Sequence, residues 1–380
     1  MTPKAKSPKT SKTSETLTTR QLNRALLARQ MLLERERMSS VAAVERIAGM
    51  QAQVPRPPFM GLWTRLENFT ADQLLKALND KKIVRATAMR GTIHLLSTKD
   101  FIAFRPVLAE MLRRGAAGIL GKRMEDADLQ VICATGRAFF GKQPSTFEEF
   151  REHLETAHPD WDVRAMAYTV RMHVPLVMVP SGGTWGFPAS AGFTLADKWL
   201  GKPIPEMSTK LEALVLRYLA AFGPATPADA QTWSAIQGLR PTFEKLRPKL
   251  AVFRDERNRE LFDLPDAPRP DEDEPAPVRF LPEFDNALLA HDDRTRIIDT
   301  AHRPRVFLKN LQVLGTVLVD GFVAGTWRVE RKKKSAALNV EMFGATPKPT
   351  AAAIEAEGEQ LLAFLEPEAA ERSVSVRRKA

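Results

Sequence analysis

The chain has one cysteine, Cys133. A single thiol excludes an intrachain disulfide, a thiolate zinc site and an iron–sulfur cluster, and it fits a reducing compartment. No apolar run reaches the roughly 18 residues that a membrane-spanning helix needs, so no membrane segment is expected. The histidines are scattered, with neither H-x-x-H nor H-E-x-x-H spacing. His291, with Asp292, Asp293, Arg294 and Arg296 beside it, therefore does not read as a metal site, and neither metal nor cofactor is expected. The amino terminus lacks the apolar core of a signal peptide and instead carries Lys4, Lys6, Lys9 and Lys12 among Ser, Thr and Pro. It reads as a disordered basic arm over residues 1–16 of a cytoplasmic, nucleoid-associated protein.

What is present is an ordinary globular composition with an excess of positive charge. Lys and Arg number 56 against 46 for Asp and Glu, a formal net charge of +10 over 380 residues. That balance points to an anionic partner, with nucleic acid first among the candidates, though a generally basic protein has the same net charge. Placement of the charges has to decide.

Residues 50–63 form the most distinctive stretch. Gln51 and Gln53 flank Ala52, and Pro55, Pro57 and Pro58 follow at once. Prolines at this density disfavour helix and push their neighbours towards extended backbone, in which positions i and i+2 share a face. The two uncharged amides would then point the same way, with arginine and aromatic residues close behind. A solvated loop joining two helices would carry the same spacing.

Around this stretch the hydrophobic periodicity predicts helices over 17–36, 41–48 and 71–79, then strands over 82–89 and 93–97 joined through Arg90, Gly91 and Thr92. Helices followed by a basic hairpin form the layout of a winged helix-turn-helix. The pattern recurs as helices over 145–157 and 164–172 with strands over 175–181 and 184–188, and again as helices over 210–222, 226–236 and 242–246 with strands over 250–254 and 261–264. Thr226 caps the middle helix of this third copy and Pro227 takes its first position. Residues 265–277 are acidic and proline-rich, as a linker would be. Beyond them, strands over 314–319 and 322–330 meet at an Asp320-Gly321 turn, a third covers 338–343, a helix spans 351–365, and 372–379 is a basic tail or last strand.

The expected organisation is therefore a basic arm (1–16), a first winged-helix unit with the QAQ loop (17–140), a second (141–205), a third (206–264), a linker (265–277) and a β-rich domain with a closing helix (278–380). The fold class is α+β, mainly helical. Phosphate contacts are expected from Arg56, Arg65, Arg85, Arg90, Arg113, Arg114 and the run Arg328, Arg331, Lys332, Lys333 and Lys334. The last run also fits a solvated turn. His94 reads either as a DNA contact or as a hydrogen-bonded strand histidine, and Trp63 as a core residue ahead of a base-stacking one.

Five blocks in order, MQAQVPRPPFMGLWTRL, MRGTIHLLS, GPATPADAQTWSAI, LPEFDNALLAHDDRTRI and GTVLVDGFVAGTWRVE, resemble the winged-helix family of bacterial DNA glycosylases typified by AlkZ and YcaQ. The resemblance runs from about residue 18 to 365. It implies tandem winged-helix units in a C-shaped arrangement with a C-terminal β-rich part. It also implies excision of bulky N-alkylated purines from double-stranded DNA, unhooking of interstrand crosslinks by some members, and a catalytic QxQ pair falling on Gln51 and Gln53. Alkylation at guanine N7 leaves a cationic base that departs without protonation. The enzyme's task is then to stabilise an oxocarbenium-like sugar and place a water, for which an amide carbonyl can accept from water and turn its dipole towards the cation. No lysine stands out as an amine nucleophile, so a monofunctional hydrolase without lyase activity is expected; a monomer is expected as well. A non-catalytic winged-helix DNA-binding regulator is the alternative, and it would have no need of paired amides beside its cleft.

Overall fold

The computed structural model describes residues 15–124, 128–188 and 190–378, and all but the end of the expected basic arm lies outside them. The fold is mixed α and β with three sheets, one of which carries the QAQ segment. In that sheet the strand order is Met50–Gln51, Ile93–Ser97, Ile83–Thr87, Leu176–Met178 and Phe193–Leu195, antiparallel throughout. Hairpins of the first two expected units thus share a single sheet through the pairing of Arg85 with Met178 and Ala86 with Val177.

A second sheet joins Ala251–Asp255 and Glu260–Asp263, with Thr16–Leu17 added in parallel. The third runs Glu371–Arg378, Ser335–Met342, Phe322–Arg331, Thr316–Val319 and Arg279–Leu281. Helix Lys348–Leu365 closes it by laying Ile354, Leu361 and Leu362 on Phe280, Val317 and Leu338. The turn between Thr316–Val319 and Phe322–Arg331 has left-handed φ at both Asp320 (48°) and Gly321 (82°), the geometry that a two-residue hairpin requires.

Several helices begin where capping chemistry places them. Thr18 and Gln21 form a reciprocal capping box ahead of Thr19–Arg29, Ser39 caps Ser40–Arg46, and Thr226 with Asp229 caps Pro227–Ser234. The prolines after the QAQ segment act differently from expectation. Pro57 and Pro58 open a helix, Pro57–Trp63, because the first turn has no use for their missing N–H groups. The expected strand over 184–188 is absent, and the pairing partner of Leu176–Met178 comes later, at Phe193–Leu195. Two long helices, Thr98–Leu120 and Leu129–Lys142, lie where no element was expected.

The acidic, proline-rich stretch packs along helix Thr19–Arg29. Arg20 donates to the Glu272 carbonyl (2.7 Å), Arg24 to that of Glu274 (2.6 Å) and Arg29 to that of Pro268 (3.1 Å).

Candidate active site

Met50 and Gln51 pair with Leu95 and His94, and the Ala52 N–H donates to the Ile93 carbonyl at 2.7 Å. Met50 and Ala52 are both buried in one apolar core. Strand alternation therefore turns Gln51 to the opposite side, where it is 9% exposed, while Gln53 beyond it is open to solvent.

Both amides are held by their oxygens. Arg90 Nη2 donates to Gln51 Oε1 at 2.8 Å, and the Ile93 N–H donates to Gln53 Oε1 at 3.2 Å. A guanidinium and a peptide N–H can only donate, so the chemistry of the partners fixes which end of each amide faces them. Among the described residues neither amide nitrogen has a partner. The free ends of Gln51 and Gln53 are thus donors, each carbonyl retaining one further lone pair.

Arg90 is the hub of this arrangement. Its backbone is left-handed (φ 57°), and besides Gln51 it donates to the Trp233 carbonyl (2.6 Å) and to Asn286 Oδ1 (3.1 Å). Asn286 Nδ2 in turn donates to the Gly49 carbonyl at 3.1 Å, tying the chain just ahead of the QAQ segment to the same network. His94 Nδ1 lies 3.1 Å from the Thr92 carbonyl, an acceptor only, so this nitrogen carries the proton and the Nε2 lone pair faces Arg90 at 3.4 Å. Burial, and then the neighbouring Arg90 charge, push the imidazole down to about 3. His94 is therefore neutral near pH 7 and completely buried, a hydrogen-bonded strand histidine. Burial, followed by repulsion from Arg294, likewise lowers Arg90 to about 10.

Several arginines expected at phosphates are structural. Arg85 is buried, donates through Nε to the Ala52 carbonyl (2.9 Å) and through Nη2 to the Gln53 carbonyl (3.1 Å), and stacks on Phe187. It fastens the backbone of the QAQ segment. Arg65 is 1% exposed and donates to Asp285 Oδ1 at 2.8 Å and to the Gly61 carbonyl at 2.9 Å, so no DNA phosphate can reach it in this arrangement. Arg90 is committed to neutral acceptors within the site. Arg56 is half-exposed and pairs with Glu366 at 3.0 Å, while Arg113 and Arg114 pair at the surface with Glu206 and Glu110. Trp63 stacks with Phe364 under the Arg35 guanidinium, in the packing role expected for it.

The C-terminal hairpin is different. Lys332, Lys333 and Lys334 form the exposed turn between Phe322–Arg331 and Ser335–Met342, and none has an ion-pair partner among the described residues. Arg328 and Arg331 are exposed and lie 3.2 Å from Glu330 and Glu366. Glu366 thus touches both Arg56 of the QAQ loop and Arg331 of this hairpin.

Sequence reasoning missed the segment 282–286. A recess beside Gln51 is lined by Gly49, Met50, Pro57, Glu283 and Asn286, with no lysine on it. The signal was the run Glu283, Asp285 and Asn286 behind a proline, an acidic and amide cluster inside a block otherwise read only for resemblance.

A sequence model described as DNA glycosylase AlkZ-like matches residues 44–364. The interstrand DNA cross-link repair glycosylase of Streptomyces sahachiroi is 24% identical over 332 residues, spanning 80% of this chain and 85% of that protein. The solved structure of the Streptomyces sahachiroi DNA glycosylase AlkZ superposes with a TM-score of 0.75 at 21% identity, covering 96% of this chain and 100% of the other. At that identity the superposition speaks for the fold, and the family match over most of the length speaks for descent. The chain is a DNA glycosylase and belongs to the AlkZ-like DNA glycosylase family.

Proposed function

We propose that this protein hydrolyses the N-glycosidic bond of bulky or cationic N-alkylated purines, N7-alkylguanine in particular, in double-stranded DNA, and that Gln51 and Gln53 carry the reaction. The supporting observation is the fixed, uncharged amide pair: both oxygens are held by donors of the protein, both N–H2 groups are left without a partner among the described residues, and Gln51 lines a recess. A cationic purine leaves without protonation, so a site of neutral amides and no strong acid suits it better than it suits an undamaged base. The absence of lysine from the recess lining favours water over an amine as nucleophile. The name of the Streptomyces relative extends the candidate substrates to interstrand crosslinks, whose unhooking is the same bond cleavage on a bulkier base.

In this reading the helix-and-hairpin repeats are tandem winged-helix units, and the exposed Lys332–Lys334 turn, with Arg328 and Arg331, contacts phosphates on the duplex. Incubating the protein with a duplex bearing one defined N7-alkylguanine, then cleaving abasic sites with heat or alkali, tests the reading. Strand cleavage at the lesion that depends on the protein is expected, and its absence overturns the reading.

A further inference from the structure

The orientation of the two amides leaves a chemical gap. Hydrolysis of the glycosidic bond needs an acceptor for the proton of the attacking water and negative potential beside the sugar cation. The free ends of Gln51 and Gln53 are donors, the lone pair left on each carbonyl can orient a water but is too weakly basic to take its proton, and Arg90 and Arg85 beside them are of the wrong sign. The acceptor has to come from elsewhere on the recess.

The geometry points to Glu283 as that catalytic carboxylate. It shares the lining of the recess with Gln51. Of the two acids there, Asp285 is buried and committed to Arg65 and to capping Ala287 N–H, whereas Glu283 has neither a hydrogen bond nor an ion pair among the described residues. The backbone singles out the same place. Phe284, a bulky residue, has a left-handed φ of 60°, and the segment is pinned on either side, by Pro282 before and by the Asp285 and Asn286 contacts after. Strain of this kind persists where the surroundings over-determine it, and it often marks a site. The charged groups around Glu283 are Arg56 from the QAQ loop, Arg65 from the end of helix Pro57–Trp63, and Asp285 of its own turn. Glu283 is open to solvent, yet partial desolvation by the protein around it raises the carboxyl above the ordinary range and Arg56 pulls it back, which suits a base that must release its proton after each turnover.

The step rests on the glycosylase reading above. The C1′–N9 bond breaks and its electron pair goes to N9, releasing the alkylated guanine as a neutral base. The water oxygen forms the new bond to C1′, its proton passes to Glu283, and Glu283 returns that proton to solvent. The donors of Gln51 and Gln53 are left to hold acceptor oxygens of the nucleotide or of the water.

The test uses the full chain, a duplex with one N7-alkylguanine, single-turnover base release from pH 5 to 8, and a separate measurement of affinity for the same duplex. Glu283→Gln keeps the shape and removes the base, and should slow release by a factor of about 100 at neutral pH while affinity stays within about twofold. The wild-type rate should fall as pH drops through the carboxyl's titration, and the Gln variant should lack that acid limb. Glu283→Asp should recover part of the rate together with the limb. Wild-type rate and pH profile in Glu283→Gln overturn the assignment while leaving the glycosylase reading intact. Failure of the wild-type protein to release the base overturns both.

Discussion

Two basic hairpins, Ile83–Ser97 in the first sheet and Phe322–Met342 in the last, look alike as sequence and behave oppositely as structure. Arg85 and Arg90 of the first are turned inward, with carbonyls and amides as partners, and they shape the QAQ segment. Lys332, Lys333 and Lys334 of the second stand in solvent with no partner of opposite charge among the described residues. The difference teaches that the sign of a side chain does not assign it to DNA. A guanidinium with fork-like donors can organise backbone carbonyls in a buried site, whereas the compact, strongly hydrated ammonium of lysine stays outside. One hairpin builds the site and the other is available to the duplex.

The largest effect that would sharpen this contrast belongs to Arg65. Arg65→Ala strands the Asp285 carboxylate in the core and should cost about 3–5 kcal/mol of stability, read by denaturant unfolding. A loss below 1 kcal/mol would put Arg65 on the surface side of the comparison. A smaller effect is expected from the outer hairpin. Changing Lys332, Lys333 and Lys334 together to Ala should leave stability unchanged, weaken binding to all duplexes alike, and flatten the dependence of log K on log salt by about one unit per lost contact. An unchanged slope would mean a solvated turn with no part in binding.

A pH-dependent effect concerns His94. Its folded-state value of about 3 lies below the ordinary 6.5. Between those values the unfolded chain binds the extra proton, so the contribution of His94 to stability is present above about pH 6.5 and is lost as pH falls towards 3. Unfolding free energy should decline over that window, and less steeply in His94→Gln. Equal slopes would mean that the imidazole is not buried as described.

Part of this was legible in the sequence. Helix Ala71–Asn79 and strand Ile93–Ser97 have the expected boundaries, because their periodicity and end signals agree. The QAQ segment stood out because prolines and paired amides are local features. Burial of Arg65 was not legible, since its partner Asp285 lies 220 residues away and no local pattern announces it. The start of helix Pro57–Trp63 was hidden by reading its prolines as breakers rather than as first-turn residues, although Trp63 with Leu62 and Leu66 reads as helical. Glu283, Asp285 and Asn286 were visible as letters, but their relation to Gln51 exists only once the chain brings residues 282–286 against the first sheet.

The central claim is that the two fixed amides release the damaged base. Its most direct test is the single-turnover rate of base release from an N7-alkylguanine duplex by Gln51→Ala and by Gln53→Ala, alongside the affinity of each for the same duplex. Removing one positioned dipole from a site of this kind typically costs on the order of 3 kcal/mol in the barrier, about a factor of 100 in rate. The account predicts losses of that size in both variants with DNA binding nearly intact, and wild-type rates in both would contradict it.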